Sequence, residues 1–294
     1  MVLIGQGRII RYFDPWKSKV CSCPIKFNLN PYTGCGHGCI YCYARTYIRD
    51  FDRPRPKKNL IKNCLSDLSK LPKGIPISLS NSSDPYTPPE AILGLTRRVI
   101  KILINSGHPL LIITKSDLVL RDIDILRKGN TVVSITVTTL DESTSKMIEP
   151  NAPLPSNRIR ALSELSESRI TVTARIDPII PYVNDDETML RNLVRSLANA
   201  GVVHITASTL KVRPEILYRI SKALPAVYDR LSSLYRAGEK ISNYVYLPRD
   251  LRLSYLLRVK ELCESEGISF AVCRESLGIS TPGIACDGST YLNP

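Results

Sequence analysis

Short apolar runs alternate along this chain with longer amphipathic stretches, and clusters of Gly, Pro, Ser, Asn and Asp punctuate them. Residues 26–32 read as a strand that ends in a cysteine-rich loop, with a helical stretch following through Tyr47. A basic loop, Arg53-Pro-Arg-Pro-Lys-Lys58, leads into a helix that ends at Leu71. Further strands are predicted over 75–79, 110–114, 131–138, 170–176 and 202–206, where Ile, Val, Leu and Thr dominate. Helices are predicted over 89–105, 118–127, 156–166 and 187–200. Beyond Ser208 the pattern predicts two or three basic helices, a helix over 254–265 and a last strand over 268–273.

Six strand–helix steps by Ser208 imply parallel pairing through right-handed crossovers. The fold class is therefore α/β, as a partial barrel or a doubly wound sheet. In both, ligands bind at the carboxyl ends of the strands. The segments just past those ends are NPYTGC, SNSSDP, TKSD, TTLDE, DPIIP and ASTLK, rich in hydroxyls, Asn, Asp and Lys. Function is expected there. With no internal repeat and no low-complexity linker, the chain reads as an N-terminal segment (1–25), a core (26–210) and a basic helical C-terminal extension (211–294).

Composition narrows the class. The 294 residues are 43% hydrophobic and 23% charged, which excludes disorder as the main state. No apolar run reaches the roughly 18 residues of a membrane span. The start lacks a continuous apolar stretch and a small-residue cleavage site, so a cytoplasmic protein with no membrane partner is expected. The net charge of +13 is uneven: residues 1–60 hold 11 basic and 3 acidic side chains, and residues 211–260 hold 11 and 4. Two basic segments around a neutral middle point to a polyanion such as DNA or RNA. A charged, thermophile-like surface that binds nothing is the plainer alternative.

An odd count of nine cysteines argues for metal or redox chemistry over a disulfide framework. Cys64 and Cys263 fall at apolar helix positions, where a thiol packs as a small hydrophobe. Cys35-Gly-His-Gly-Cys39-Ile-Tyr-Cys42 is different: C-x3-C-x2-C directly after the first strand. Three thiolates in one tight loop can each ligate one iron of a [4Fe–4S] cluster and leave the fourth iron open. Zinc with His37 as fourth ligand is the competing reading, although structural zinc knuckles usually pair two such clusters. His108 and His204 are isolated and read as core histidines, His204 with an alternative placement facing the site.

The run Asn30-Pro-Tyr-Thr-Gly-Cys-Gly-His-Gly-Cys-Ile-Tyr-Cys-Tyr-Ala44 resembles the signature of radical S-adenosylmethionine (SAM) enzymes, in the branch containing spore photoproduct lyase. The resemblance continues through Ser80-Asn-Ser-Ser-Asp-Pro-Tyr86, Thr114-Lys-Ser116 and Ser134-Ile-Thr136. It implies a partial (β/α)6 barrel in which Cys35, Cys39 and Cys42 hold a [4Fe–4S] cluster whose open iron chelates SAM. It further implies one-electron cleavage to a 5′-deoxyadenosyl radical, fed by a reductant protein such as a ferredoxin or flavodoxin. Ser82, Ser83 and Asp84 match the segment that holds the methionine amino group, which in most members is a Gly-Gly-Glu run. Lys115 and Ser134 match cofactor-contacting positions, and Tyr41 and Tyr43 match a pair of hydrogen-atom relay residues. Shielding the cluster or packing against adenine are plainer roles for these tyrosines.

One departure stands out. Asn81 occupies the place where the lyase has a cysteine hydrogen donor, and an amide cannot donate a hydrogen atom as a thiol can. Cys21 and Cys23, with Cys273 and Cys286, are candidates for an auxiliary four-thiolate site, a second iron–sulfur cluster, joining the chain ends; four unconnected thiols are the alternative. The function classes are a radical enzyme acting on nucleic acid or a nucleotide-derived substrate, a radical enzyme of small-molecule or peptide modification, and a metal-stabilised RNA-binding protein without catalysis.

Overall fold

A computed structural model describes residues 7–13, 20–79 and 81–292. Residues 1–6 and 14–19 of the predicted N-terminal segment, and Ser80 of the serine-rich motif, lie outside the described residues. The strands are β1 (Arg11–Tyr12), β2 (Phe27–Leu29), β3 (Tyr32–Thr33), β4 (Arg55–Pro56), β5 (Ile77–Leu79) and β6 (Leu110–Thr114). They continue as β7 (Thr131–Thr136), β8 (Thr171–Ile179), β9 (His204–Thr209), β10 (Glu239–Ile241), β11 (Tyr244–Tyr246) and β12 (Ser269–Val272).

Eight of these form one sheet in the order β1-β2-β5-β6-β7-β8-β9-β12. From β2 onward every pairing is parallel, and only the edge strand β1 runs antiparallel. This is the expected α/β partial barrel, with one extension: β12 adds a seventh parallel strand beyond β9. The register separates two faces. Leu79, Ile112, Val133 and Val172 share one face with Ile135, Ala174, Ile205 and Phe270, and all join the main core under the helices. Leu190, Leu193, Val194 and Leu197 of the helix Glu187–Asn199 supply that core from the outside at helical spacing. The inner face carries Asn28, Ser78, Ser134, Thr173, Arg175 and Thr206 among a few aliphatics.

The C-terminal residues fill the inner face and cover the β12 edge. Phe270 N–H donates to Thr281 Oγ1 (2.9 Å), and Thr281 N–H donates to Phe270 O (2.7 Å). Leu292 then packs on Leu111 and Val132 inside. An uncovered strand edge would invite foreign pairing, and this tail removes it. Across the seam, buried Lys26 pairs with Asp287.

Several local expectations need correction. The helix expected over 89–105 is broken into Glu90–Leu93 and Leu95–Asn105 at Gly94, whose φ of +59° stops the first piece. Residues 118–127 form a 3-10 turn, Asp117–Asp122, and a single α-turn, Ile123–Leu126. The stretch through Tyr47 is only a 3-10 turn, Ala44–Thr46. The helix expected over 254–265 begins earlier, as Arg249–Ser265. Among the described residues no helix is long and apolar enough to cross a membrane.

Candidate active site at the cysteine loop

The cysteine loop follows β3, the short strand just after β2, and sits at the carboxyl end of the parallel strands. Its fold is set by glycine. Gly34 has φ +88°, and a Cβ there would lie 2.5 Å from Phe51 O. Cys35 N–H donates to that same Phe51 carbonyl (2.7 Å). From the strand β5 side, Ser83 Oγ accepts from Gly34 N–H (3.1 Å) and Thr87 Oγ1 accepts from Gly36 N–H (2.9 Å). Opposite, Ile40 N–H donates to Ile148 O (3.0 Å), and Asn151 N–H donates to His37 O (3.0 Å). Arg219 donates to Ile40 O (2.8 Å) and Cys42 O (2.7 Å) from the helix Pro214–Ala223. Four segments distant in sequence therefore hold eight residues in one conformation.

Cys35 and Cys39 are buried and Cys42 is half-buried. Burial, with Asp84 adding to it, pushes the Cys35 thiol up to about 12, and burial raises Cys39 and Cys42 as well. Such thiols are neutral by themselves; ligation to a cation deprotonates them outright. Among the described residues no three Cys, His, Asp or Glu side chains converge in single-ion geometry. A cubane places each cysteine on a different corner, so its ligands need no common point. His37, the alternative zinc ligand, is buried with Nδ1 3.5 Å from Asp84 Oδ2.

The serine-rich segment contributes order before it contributes contacts. Asp84 Oδ1 accepts from Thr114 Oγ1 (2.7 Å) and Tyr86 N–H (2.9 Å), while Oδ2 accepts from Lys115 N–H (2.8 Å). Asp84 thus ties the end of β5 to the end of β6. Ser134 lies in β7 beside Ile113 and Thr173, and the Ser134 and Thr173 hydroxyls are buried with no protein partner. Orphaned inner-face hydroxyls cost free energy unless a ligand satisfies them. Together with three desolvated thiols on one loop, the Ser134 hydroxyl fits a cluster and a polar nucleoside cofactor, whereas Thr173 lies against Gly288 of the C-terminal tail.

Lys115 and Tyr41 converge on a residue the motif reading missed, Glu149. Tyr41 hydroxyl donates to Glu149 Oε1, Thr138 Oγ1 donates to it at 3.2 Å, and Lys115 Nζ is 3.9 Å away. Arg158 lies 2.5 Å from Glu149 Oε2 and also donates to Thr136 O (3.0 Å). Burial works to raise the Glu149 pKa, but Arg158 and Lys115 outweigh it and hold the carboxyl below its ordinary value. Tyr43 hydroxyl donates to Asn81 O, and the Asn81 side-chain amide donates to Asn28 Oδ1 (3.0 Å). His204 is a satisfied core residue, with Nδ1 2.8 Å from Ser269 Oγ, and burial lowers its pKa to about 4. His108 is buried as well, with Nδ1 3.4 Å from Ile75 O.

Residues 29–194 match the radical SAM superfamily, and the chain belongs to that superfamily. Among curated proteins it is similar to an uncharacterized protein of Methanocaldococcus jannaschii, 34% identical over 212 residues, covering 71% of this chain and 80% of that one. An uncharacterized protein of Mycobacterium tuberculosis is 26% identical over 257 residues, covering 81% of this chain and 74% of its own. Among solved structures, spore photoproduct lyase complexed with dinucleoside spore photoproduct superposes with a TM-score of 0.66 at 16% identity. That superposition covers 91% of this chain and 80% of the lyase. A radical SAM methyltransferase from Sphaerobacter thermophilus superposes with a TM-score of 0.55 at 16% identity, covering 90% and 67%. At these identities the likeness is one of fold.

Proposed function

We propose that the chain binds a [4Fe–4S] cluster through Cys35, Cys39 and Cys42 and S-adenosylmethionine beside it, and acts on a nucleic acid or nucleotide-derived substrate. The observation that carries this reading is the superfamily cysteine triad at the strand ends, two of its thiols buried and one half-buried, on a loop clamped by Ser83 and Thr87. When bound, cluster and cofactor supply one-electron cleavage to a 5′-deoxyadenosyl radical, with a ferredoxin- or flavodoxin-type protein as reductant. The protein's share is placement. Ser82 and Ser83 lie on the segment proposed to meet the methionine end, with Asp84 as its brace. Ser134 offers an unpaired hydroxyl to the cofactor, and Lys115 keeps a cation beside the loop. Tyr41 and Tyr43 stand at the proposed relay positions. Asn81 supplies no hydrogen atom, so turnover on spore-type thymine dimers should be poor.

The test is product formation. Anaerobic, iron-loaded protein given dithionite and SAM should release 5′-deoxyadenosine; iron-loaded protein that yields none overturns the reading.

A nucleic-acid substrate is supported by the meeting of the two basic segments. Arg213 donates to Thr46 Oγ1 (3.0 Å) and Arg219 grips the cysteine loop. A cleft of about 480 Å³ there is lined by Arg45, Arg49, Arg53 and Arg219 with Phe51, and by Asp50 and Asp52, which pair with Arg49 and Arg45 and leave Arg53 and Arg219 as its excess charge. Lys57 is partly buried, and Arg55 caps the loop carbonyls of Arg49, Asp50 and Arg53. Exposed Arg49, Arg53 and Lys58 are therefore the informative positions. Reversing those three charges should weaken binding of single-stranded DNA or RNA for all sequences alike. The salt slope should fall by about 0.7 for each phosphate that is no longer neutralised. Salt-insensitive binding by the unaltered protein would favour small-molecule or peptide chemistry instead.

A further inference from the structure

The fold brings together four cysteines that the radical site does not use. Cys23 Sγ lies 3.4 Å from Cys286 Sγ, although 263 residues separate them. Cys21 is hydrogen-bonded to Cys23, and Cys273 is close enough to interact with Cys21, Cys23 and Cys286. Cys21 and Cys286 also line one cleft of about 440 Å³, which opens a path for an ion. All four are free thiols. A separation of 3.4 Å is no disulfide, whose sulfurs are about 2.0 Å apart.

The Cys23–Cys286 contact is nearer to the spacing a single ion imposes than to that of a cubane. Zinc holds thiolates at about 2.3 Å in a tetrahedron, so its ligand sulfurs stand about 3.8 Å from one another. Cysteines on different irons of a cubane stand well beyond contact. The backbone of the set is already anchored. Thr206 Oγ1 donates to Cys286 O (2.7 Å), and Cys273 N–H donates to Ala207 O (2.9 Å). Charge is provided for as well, because four thiolates on a divalent ion carry a net −2. Lys26 lies near Cys23 and Cys286, and Arg175 contacts Cys273.

We infer that Cys21, Cys23, Cys273 and Cys286 form a tetrathiolate site for one zinc ion, closing the open seam of the barrel. Binding displaces the thiol protons to solvent and forms four Zn–S bonds, with no change of oxidation state. No three of these side chains yet stand in single-ion geometry, so the array closes on the metal by side-chain rotation. The ion joins the segment before β2 to the tail that covers β12. It does for the seam what the Lys26–Asp287 pair does beside it.

The test is metal content and cobalt spectroscopy on the full chain. Protein purified without oxygen should hold one zinc per chain in addition to iron, and Cys23→Ser/Cys286→Ser should lose the zinc while keeping the iron. Should that pair fail to fold, Cys21→Ser leaves three thiolates and should weaken zinc by more than about tenfold, since even outer-shell partners are worth about 10–100-fold. Co²⁺ added to a Cys35→Ala/Cys39→Ala/Cys42→Ala protein should give the charge-transfer and d–d bands of tetrahedral cobalt thiolate. That arm reads this site alone, so its outcome is separable from that of the radical cluster. Absence of both zinc and cobalt bands overturns the inference. A Cys23–Cys286 disulfide in anaerobic protein, or extra iron with sulfide in place of zinc, does so too.

Discussion

Cys39→Ala protein prepared without oxygen should lose the iron held by the cysteine loop and form no 5′-deoxyadenosine above background. Each of Cys35, Cys39 and Cys42 is proposed to hold one corner of the cluster, so removing one leaves two corners without a protein ligand. The fall in product should exceed about a hundredfold, because loss of outer-shell partners alone reaches that range. Cys64→Ala is the matched control. Cys64 is as deeply buried, yet it packs in the main core among Leu60, Leu68 and their neighbours. That variant should keep its iron and its product. Iron retention and full cleavage in Cys39→Ala would remove Cys39 as a cluster ligand, and equal loss in Cys64→Ala would reduce the result to a folding effect.

Glu149→Ala should destabilise the fold by about 3–5 kcal/mol, read from urea unfolding midpoints at constant slope. The carboxylate is buried between Arg158 and Lys115 and accepts from Tyr41 and Thr138. Its removal leaves the buried Arg158 and the half-buried Lys115 without their counter-charge, which costs far more than the pair contributes by existing. Glu149→Gln keeps an acceptor oxygen for Tyr41 and Thr138 but not the charge, so it should recover only a small part. The pH dependence has a definite sign. The folded carboxyl is held below its ordinary value of 4.5, so its stabilisation is complete above that pH and is lost as pH falls through the lower, folded value. The variants should therefore lose this acid sensitivity. A cost below about 1 kcal/mol for Glu149→Ala would show that the loop is held without this cluster.

The strands of the core were legible because Ile and Val runs bounded by turns report burial locally, without knowledge of neighbours. The cysteine loop was legible for a related reason: ligands that lie within eight residues carry their geometry in their spacing. Gly94 was misjudged because apolar periodicity runs on through it, while its left-handed backbone ends the first helix. Glu149 escaped notice because nothing in its own neighbourhood marks it. Its meaning comes from Arg158 and Lys115, and a carboxylate's role depends on whether water is excluded around it.

By itself the sequence determined the alternation of strands and helices, the three-thiol loop and the placement of polar segments after strands. These rest on interactions within a few residues. Only the tertiary structure decided that β12 follows β9 in the sheet, that Arg219 reaches the cysteine loop, and that Cys23 meets Cys286. Contacts across such separations are chosen by which faces must be buried together when the sheet closes. Periodicity along the chain reports that a face is apolar and leaves open what it will lie against.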